Sequence, residues 1–297
     1  MTGGQEDKRT GGREEGRTGD ECLASSIPQS AFTIHNSQFT IHNFPPFLPS
    51  SLPASGVVHV CYARLDPPAA FIAQMEQTLA ADEWARLRRF HFADDARRYA
   101  VRRGSLRHLL GRYLDIPPAE IVFAYGPQHK PALSEPQAKT NLRFNLSDSG
   151  EMAVYAFAVG QEIGVDIEAQ RDFPDARQLA ESFFSPVEAE WLRQQPPEEE
   201  STAFLRCWTC KEAVVKALGD GLMSPLQAFT VAHWQTPPRL LWPSAPPSDW
   251  SIHLLNPPAG YCAALAVSGG RGLGIGDWGV ETGDWGLGTG DSPIPNP

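Results

Sequence analysis

The chain predicts an α+β fold made of two similar halves, with a low-complexity tail at each end. Three observations lead there. From about residue 56 the elements run strand, helices, strands, and then again strand, helices, strands. The 297 residues leave ample length for a buried core. Outside about 56–270 the chain loses its apolar periodicity and turns to Gly, Pro, Thr and charged residues.

Residues 1–55 read as a tail. Gly, Arg, Glu and Thr dominate the first twenty, and Phe32-Thr33-Ile34-His35-Asn36 recurs as Phe39-Thr40-Ile41-His42-Asn43. Two copies are too few and too short for a solenoid. Val57 to Tyr62 is the first expected strand, ended by Pro67-Pro68. A helix is expected over Phe71 to Leu87, and a second from about Asp94 to Tyr113, where Ala96, Tyr99, Ala100, Leu106 and Leu110 lie near one face. Ile121 to Tyr125 is short and β-rich, and Gly126-Pro127 turns the chain. Leu142 to Leu146 and Met152 to Val159 read as strands around a turn at Ser147-Asp148-Ser149-Gly150, and Glu162 to Glu168 as a further strand. The halves then divide near residue 160, as 56–160 and 161–270.

The second half turns helical first. Ser185 reads as an N-cap, with Pro186 at the first helical position and Glu188 placed for a capping box. A longer helix is expected from about Thr202 to Leu218, stopped by Gly219. Strands near Phe229–Ala232, Trp250–Leu254 and Tyr261–Val267 close this half. Residues 271–297 form the second tail, where Gly276-Asp277-Trp278-Gly279 recurs as Gly283-Asp284-Trp285-Gly286.

The net charge is −10, yet nine arginines face only two aspartates between Arg86 and Arg112, a local charge of about +7. Such a patch suits a phosphorylated ligand or an acidic partner, with a solvated helix face as the plain alternative. Five cysteines, an odd and irregular set, give no disulfide framework. No apolar signal core and no membrane-length run is present, which makes a cytoplasmic protein with no membrane partner the expectation.

Two stretches carry the chemistry. In Gly164-Val165-Asp166-Ile167-Glu168 the strand period points Asp166 and Glu168 one way and Val165 and Ile167 the other. Two carboxylates on one face repel unless a positive charge lies between them. Mg²⁺ takes hard oxygen ligands and would suit the pair, Mn²⁺ being the alternative. An exposed face answered by nearby arginines would also do. In Trp208-Thr209-Cys210-Lys211-Glu212, running on to Lys216, Glu212 and Lys216 are four apart and share a helix face, as in a simple surface ion pair. Cys207 and Cys210 spell Cys-x-x-Cys, which leaves a thiol redox protein as a rival, though a redox pair normally sits at a helix N-terminus. There is no Walker loop, no Gly-x-Gly-x-x-Gly after a strand and no Gly-x-Ser-x-Gly elbow.

Together with these two stretches, three more are similar to one family. They are Arg88-Arg89-Phe90-His91-Phe92 with Asp94-Asp95-Ala96 and Arg98; His129-Lys130-Pro131; and Phe144-Asn145-Leu146-Ser147-Asp148-Ser149-Gly150. The chain resembles the surfactin-synthetase-activating (Sfp-type) 4′-phosphopantetheinyl transferases over about 56–270. The resemblance implies a pseudo-twofold monomer with its active site between the halves. It implies coenzyme A as donor and a serine of an apo acyl or peptidyl carrier protein as acceptor, with no role for nucleic acid. Asp166, Glu168 and Glu212 would hold the metal. Glu212 would serve as base, and Lys216 would stabilise the leaving phosphate. By matching positions, Arg86, Lys130, Ser147 and, beside Glu212, Lys211 and Lys216 would contact coenzyme A. The family usually has His where this chain has Asp148, and a carboxylate there would repel phosphate unless an arginine pairs with it. That departure raises a second rival, a non-catalytic paralogue that binds coenzyme A or a carrier without turnover.

Overall fold

The computed structural model describes residues 33–38, 51–126, 128–219, 225–241 and 250–269. The second copy of the N-terminal repeat, Pro127 and the Gly-Asp-Trp-Gly tail lie outside them, as do His42 and Cys22. The first strand, β1 (Thr33–Gln38), falls in the segment expected to be a tail and pairs in parallel with β2 (Val57–Arg64). It overlaps the first repeat copy at Thr33–Asn36.

The helix expected over 71–87 is two helices, α1 (Ala69–Glu76) and α2 (Ala81–Leu87). Local hydrogen bonds break it: Thr78 Oγ1 donates to the Met75 carbonyl at 2.8 Å, and Glu83 accepts from the Ala80 amide at 2.8 Å, starting a new helix. Then follow α3 (Ala93–Leu114), β3 (Phe123–Tyr125) and β4 (Pro131–Leu133). β5 (Leu142–Ser149) is longer than expected. It absorbs Ser147, Asp148 and Ser149, and the turn to β6 (Met152–Val159) is made at Gly150, whose φ is +58°.

The second half comprises β7 (Ile163–Ala169), α4 (Ala176–Phe183), α5 (Pro186–Arg193), α6 (Pro197–Leu218), β8 (Thr230–Ala232), β9 (Arg239–Leu241), β10 (Trp250–Leu254) and β11 (Tyr261–Ser268). Ser185 caps α5 with both bonds of the capping box. α6 begins earlier than expected, because Pro197 is tolerated in its first turn and three glutamates follow there. Gly219 ends it in the left-handed region at φ +78°.

Four layers result. Of the two larger sheets one has the order β1-β2-β6-β5 and the other β10-β11-β7, while β3-β4 and β8-β9 form two-stranded sheets of their own. Val58, Val60 and Tyr62 of β2 and Val154 of β6 meet Val165, Ile167 and Leu265 in a core between the sheets. Alternate residues of β2, such as Cys61 and Ala63, face Val101, Leu106 and Leu110 of α3. On the far side Ala213, Val214 and Ala217 of α6 pack on Ala264 and Ala266 of β11. The two 22-residue helices α3 and α6 thus cover the outer faces of their respective sheets. At β7, Gly164 permits this closeness, since a Cβ there would lie 2.1 Å from the Ala213 carbonyl oxygen.

The arginine-rich segment is spent partly inside. Arg103 and Arg107 are buried and pair with buried Glu83, and Arg107 also donates to the Pro118 and Ile121 carbonyls. The local charge of about +7 therefore overstates what faces solvent.

Candidate active site

The two sheets meet where β5 runs beside β7, and side chains rather than a backbone ladder join them. Asn145, Ser147 and Ser149 share one face of β5 by the period of two. Asn145 Oδ1 accepts from the Val165 amide at 2.9 Å. Ser147 Oγ donates to Asp166 Oδ1 at 2.7 Å, and Ser149 Oγ to Glu168 Oε2 at 2.9 Å. The Ala169 amide donates to Ser149 Oγ at 3.1 Å. This ladder fixes both β7 carboxylates from the other half of the molecule.

From the opposite side α6 brings Lys216, whose Nζ donates to Asp166 Oδ1 at 2.6 Å and to Ser147 Oγ at 2.7 Å. Asp166 is buried, as Val165 and Ile167 are, but it faces α6 while they face the core between the sheets. Burial pushes its carboxyl upward against the pull of Lys216. Burial, then Asp166, raises Glu168, while the Ser149 hydrogen bond lowers it. Burial raises Glu212, with Asp166 and Glu168 adding to the rise. The three carboxylates are therefore electrostatic neighbours.

Asp166 Oδ2 and Glu212 Oε1 are buried oxygens without a hydrogen-bond partner. Such atoms are costly unless a cation or water meets them. Their hard oxygen character fits a divalent cation such as Mg²⁺. Among the described residues no group of three His, Cys, Asp or Glu side chains closes around an ion unaided, so other oxygens would have to complete such a site.

On the α3 side of β5, where Leu146 points, a cleft of about 370 Å³ is walled by Arg86, Arg102, Arg103, Tyr99, Tyr125 and His129, among others. Arg86 is exposed there, its guanidinium carbon 5.4 Å from the Tyr99 ring centre. His129 adopts φ +58°, the left-handed conformation that glycine takes most easily.

Two expected ligand contacts already have partners within the protein. Lys211 is fully buried on the other side of α6, where its ammonium pairs with Glu188 at 2.8 Å and donates to the Phe229 carbonyl at 2.7 Å. The reason is helical geometry: one residue from Glu212 is a turn of about 100°. Lys130 reaches the seam, but its ammonium donates to the Lys216 carbonyl at 2.7 Å and, more weakly, to those of Ile163 and Ala217. It caps the C-terminus of α6. Sequence reading gave no role to Asn145 and Ser149, which tie β5 to β7, or to Arg102 on the cleft wall, although the first two lie in the Phe144–Gly150 stretch at strand spacing.

The thiols form no redox centre. Cys207 and Cys210 are buried and free within α6, and burial pushes both well above the ordinary thiol range.

The structure thus brings a carboxylate cluster and an ammonium together at the junction of two α+β halves, with an arginine-walled cleft on the α3 side of β5. The comparisons with known proteins give the class. Residues 162–266 match the family model described as the 4′-phosphopantetheinyl transferase superfamily, and residues 65–159 match 4′-phosphopantetheinyl transferase, N-terminal. The 4′-phosphopantetheinyl transferase HetI of Nostoc sp. (strain PCC 7120) is 40% identical over 215 residues, covering 72% of this chain and 89% of that protein. The 4′-phosphopantetheinyl transferase Sfp of Bacillus subtilis (strain 168) is 30% identical over 154 residues, covering 52% and 66%. The 4′-phosphopantetheinyl transferase AcpT of Salmonella typhi is 43% identical over 122 residues, covering 40% and 60%. The chain belongs to the 4′-phosphopantetheinyl transferase family, in its Sfp-type branch.

Proposed function

We propose that this protein transfers 4′-phosphopantetheine from coenzyme A to a serine of an apo acyl or peptidyl carrier protein, releasing 3′,5′-ADP, with a divalent cation as cofactor. The observation that carries the reading is the convergence of Lys216, Ser147 and Asp166 across the seam, with unpartnered oxygens on Asp166 and Glu212.

Asp166, Glu168 and Glu212 would hold the metal, and Mg²⁺ is the better match because it commonly keeps waters and substrate phosphate oxygens in its shell. Bound there, it would supply charge neutralisation at the pyrophosphate. Glu212 accepts the proton of the attacking serine, directly or through a water. Lys216, tied to Asp166 and Ser147, holds a positive charge beside the phosphate that leaves. Ser147 orients Asp166 and Lys216 together. Arg86 meets a phosphate of coenzyme A in the cleft. A monomer in the cytoplasm is the working picture; among the described residues no helix is long and apolar enough to cross a membrane.

The test is intact-mass analysis of several purified apo carrier proteins incubated with this protein, coenzyme A and Mg²⁺. Each should gain one phosphopantetheine, and the gain should vanish with EDTA or with Glu212→Ala. No gain with any carrier, despite measurable coenzyme A binding, would favour the non-catalytic paralogue.

A further inference from the structure

The alternation of β5 sends Ser147 to the seam and its neighbour Asp148 toward α3. There Asp148 Oδ1 accepts a hydrogen bond from Arg102 Nη1. The two residues do not face the cleft equally. Arg102 forms part of its wall, and Asp148 does not. The guanidinium carbon of Arg102 also stands 5.7 Å from the centre of the Tyr99 ring, which Arg86 approaches to 5.4 Å. Among the cleft arginines, Arg103 is committed to Glu83 and Tyr125. Arg102 is not committed in this way. Asp148 accepts from its Nη1 alone, and no other hydrogen bond of its guanidinium is seen among the described residues.

Guanidinium carries five N–H donors in a rigid plane. A carboxylate bonded to one nitrogen, with an aromatic face beside it, limits the conformations of the side chain. The donors left over are then presented with little further loss of entropy. Asp82 is a carboxylate on the same wall, so the cleft is not a uniform positive field and recognition there depends on where the arginine forks point.

We propose that Arg102, positioned by Asp148, contacts a phosphate of coenzyme A, so that an arginine–aspartate pair takes the place of the single imidazole that the family usually has at position 148. The inference rests on the reading of this chain as a coenzyme A-dependent transferase. It reverses the effect first expected of Asp148: the carboxylate aids donor binding by holding an arginine.

Calorimetric titration of coenzyme A and of 3′-dephospho-coenzyme A into the full-length protein tests this. Arg102→Ala should weaken coenzyme A binding about tenfold, the loss of one partly exposed charged contact. Arg102→Lys keeps the charge without the fork and should recover only part of that loss. Asp148→Ala should weaken binding about threefold when Arg102 is present and should not weaken it further in the Arg102→Ala background. In steady state the KM for coenzyme A should rise, with kcat and the KM for the carrier unchanged, a split that general loosening of the fold would not produce. A cost of Arg102→Ala shared by both ligands places the contact at the pyrophosphate, and a cost seen only with coenzyme A places it at the 3′-phosphate; either supports the proposal. Equal affinities of wild type and Arg102→Ala would overturn it, as would tighter binding by Asp148→Ala. Failure of the wild-type protein to bind coenzyme A would instead overturn the functional reading.

Discussion

Gly164 lies against Ala213 so closely that a Cβ on it would meet the Ala213 carbonyl oxygen at 2.1 Å and the Ala217 amide nitrogen at 2.3 Å. Backbone atoms cannot yield as a flexible side chain can. The absent side chain is therefore what lets α6 lie on β7 at the depth where Lys216 reaches Asp166. Gly164→Ala should cost about 3 kcal/mol by overpacking and should displace Lys216 from Asp166. Urea denaturation and the carrier-modification assay together check this, and an unchanged midpoint with full activity would contradict it.

Lys211 separates structure from ligand binding. Its ammonium and Glu188 are fully buried together. Removing one partner leaves the other as an uncompensated buried charge. Lys211→Met should lower stability by about 3 kcal/mol, while the soluble folded protein keeps wild-type affinity for coenzyme A. A weakened affinity at unchanged stability would return Lys211 to the binding site.

Lys130 caps α6 from the first half of the chain, and burial holds its ammonium below the ordinary lysine value. Lys130→Met should lower stability by about 1–2 kcal/mol through the unsatisfied carbonyls at the end of α6. The loss should appear in urea denaturation before any change in coenzyme A binding. The reverse pattern would show that the ammonium serves a phosphate.

His233 is buried against Trp191 and Trp234, and its pKa is lowered to about 4, mainly by burial, with the charges of Arg206 and Lys211 assisting against a backbone contact at Val231. The unfolded chain takes up this proton near pH 6.5 and the folded chain only near pH 4. Stability should be full above about pH 6.5 and fall by about 3 kcal/mol as the pH drops toward 4. In His233→Gln this decline should flatten over that window. Parallel pH–stability curves for the two proteins would exclude His233 as its source.

Much of the site was legible because it is written at strand and helix spacing. Asp166 and Glu168 alternate with Val165 and Ile167, and that alternation alone places the carboxylates on one face. The i,i+4 relation of Glu212 and Lys216 holds in the same way on α6, and Gly219 ends that helix where expected. Local physics was misread where side chains compete with the backbone. Thr78 and Glu83 divide a helix that periodicity alone would continue, and a turn-rich composition hid the strand through Ser147, Asp148 and Ser149.

By itself the sequence determined the α+β class and most of the longer elements, the family, and the residue types able to hold a cation and a phosphate, since these follow from near-neighbour spacing and motif order. It could not decide which charges are free. Lys211 and Lys130 look alike in a string of letters, as do Arg86, Arg102, Arg103 and Arg107. Only the packed chain commits Lys211 to Glu188, Lys130 to the end of α6, and Arg103 and Arg107 to Glu83, while leaving Arg102 on the cleft wall with Asp148 behind it. These partners lie 20 to 86 residues apart in the chain. Whether a charge serves the fold or the ligand depends on such long-range neighbours and on burial, and both arise only when the layers close on one another.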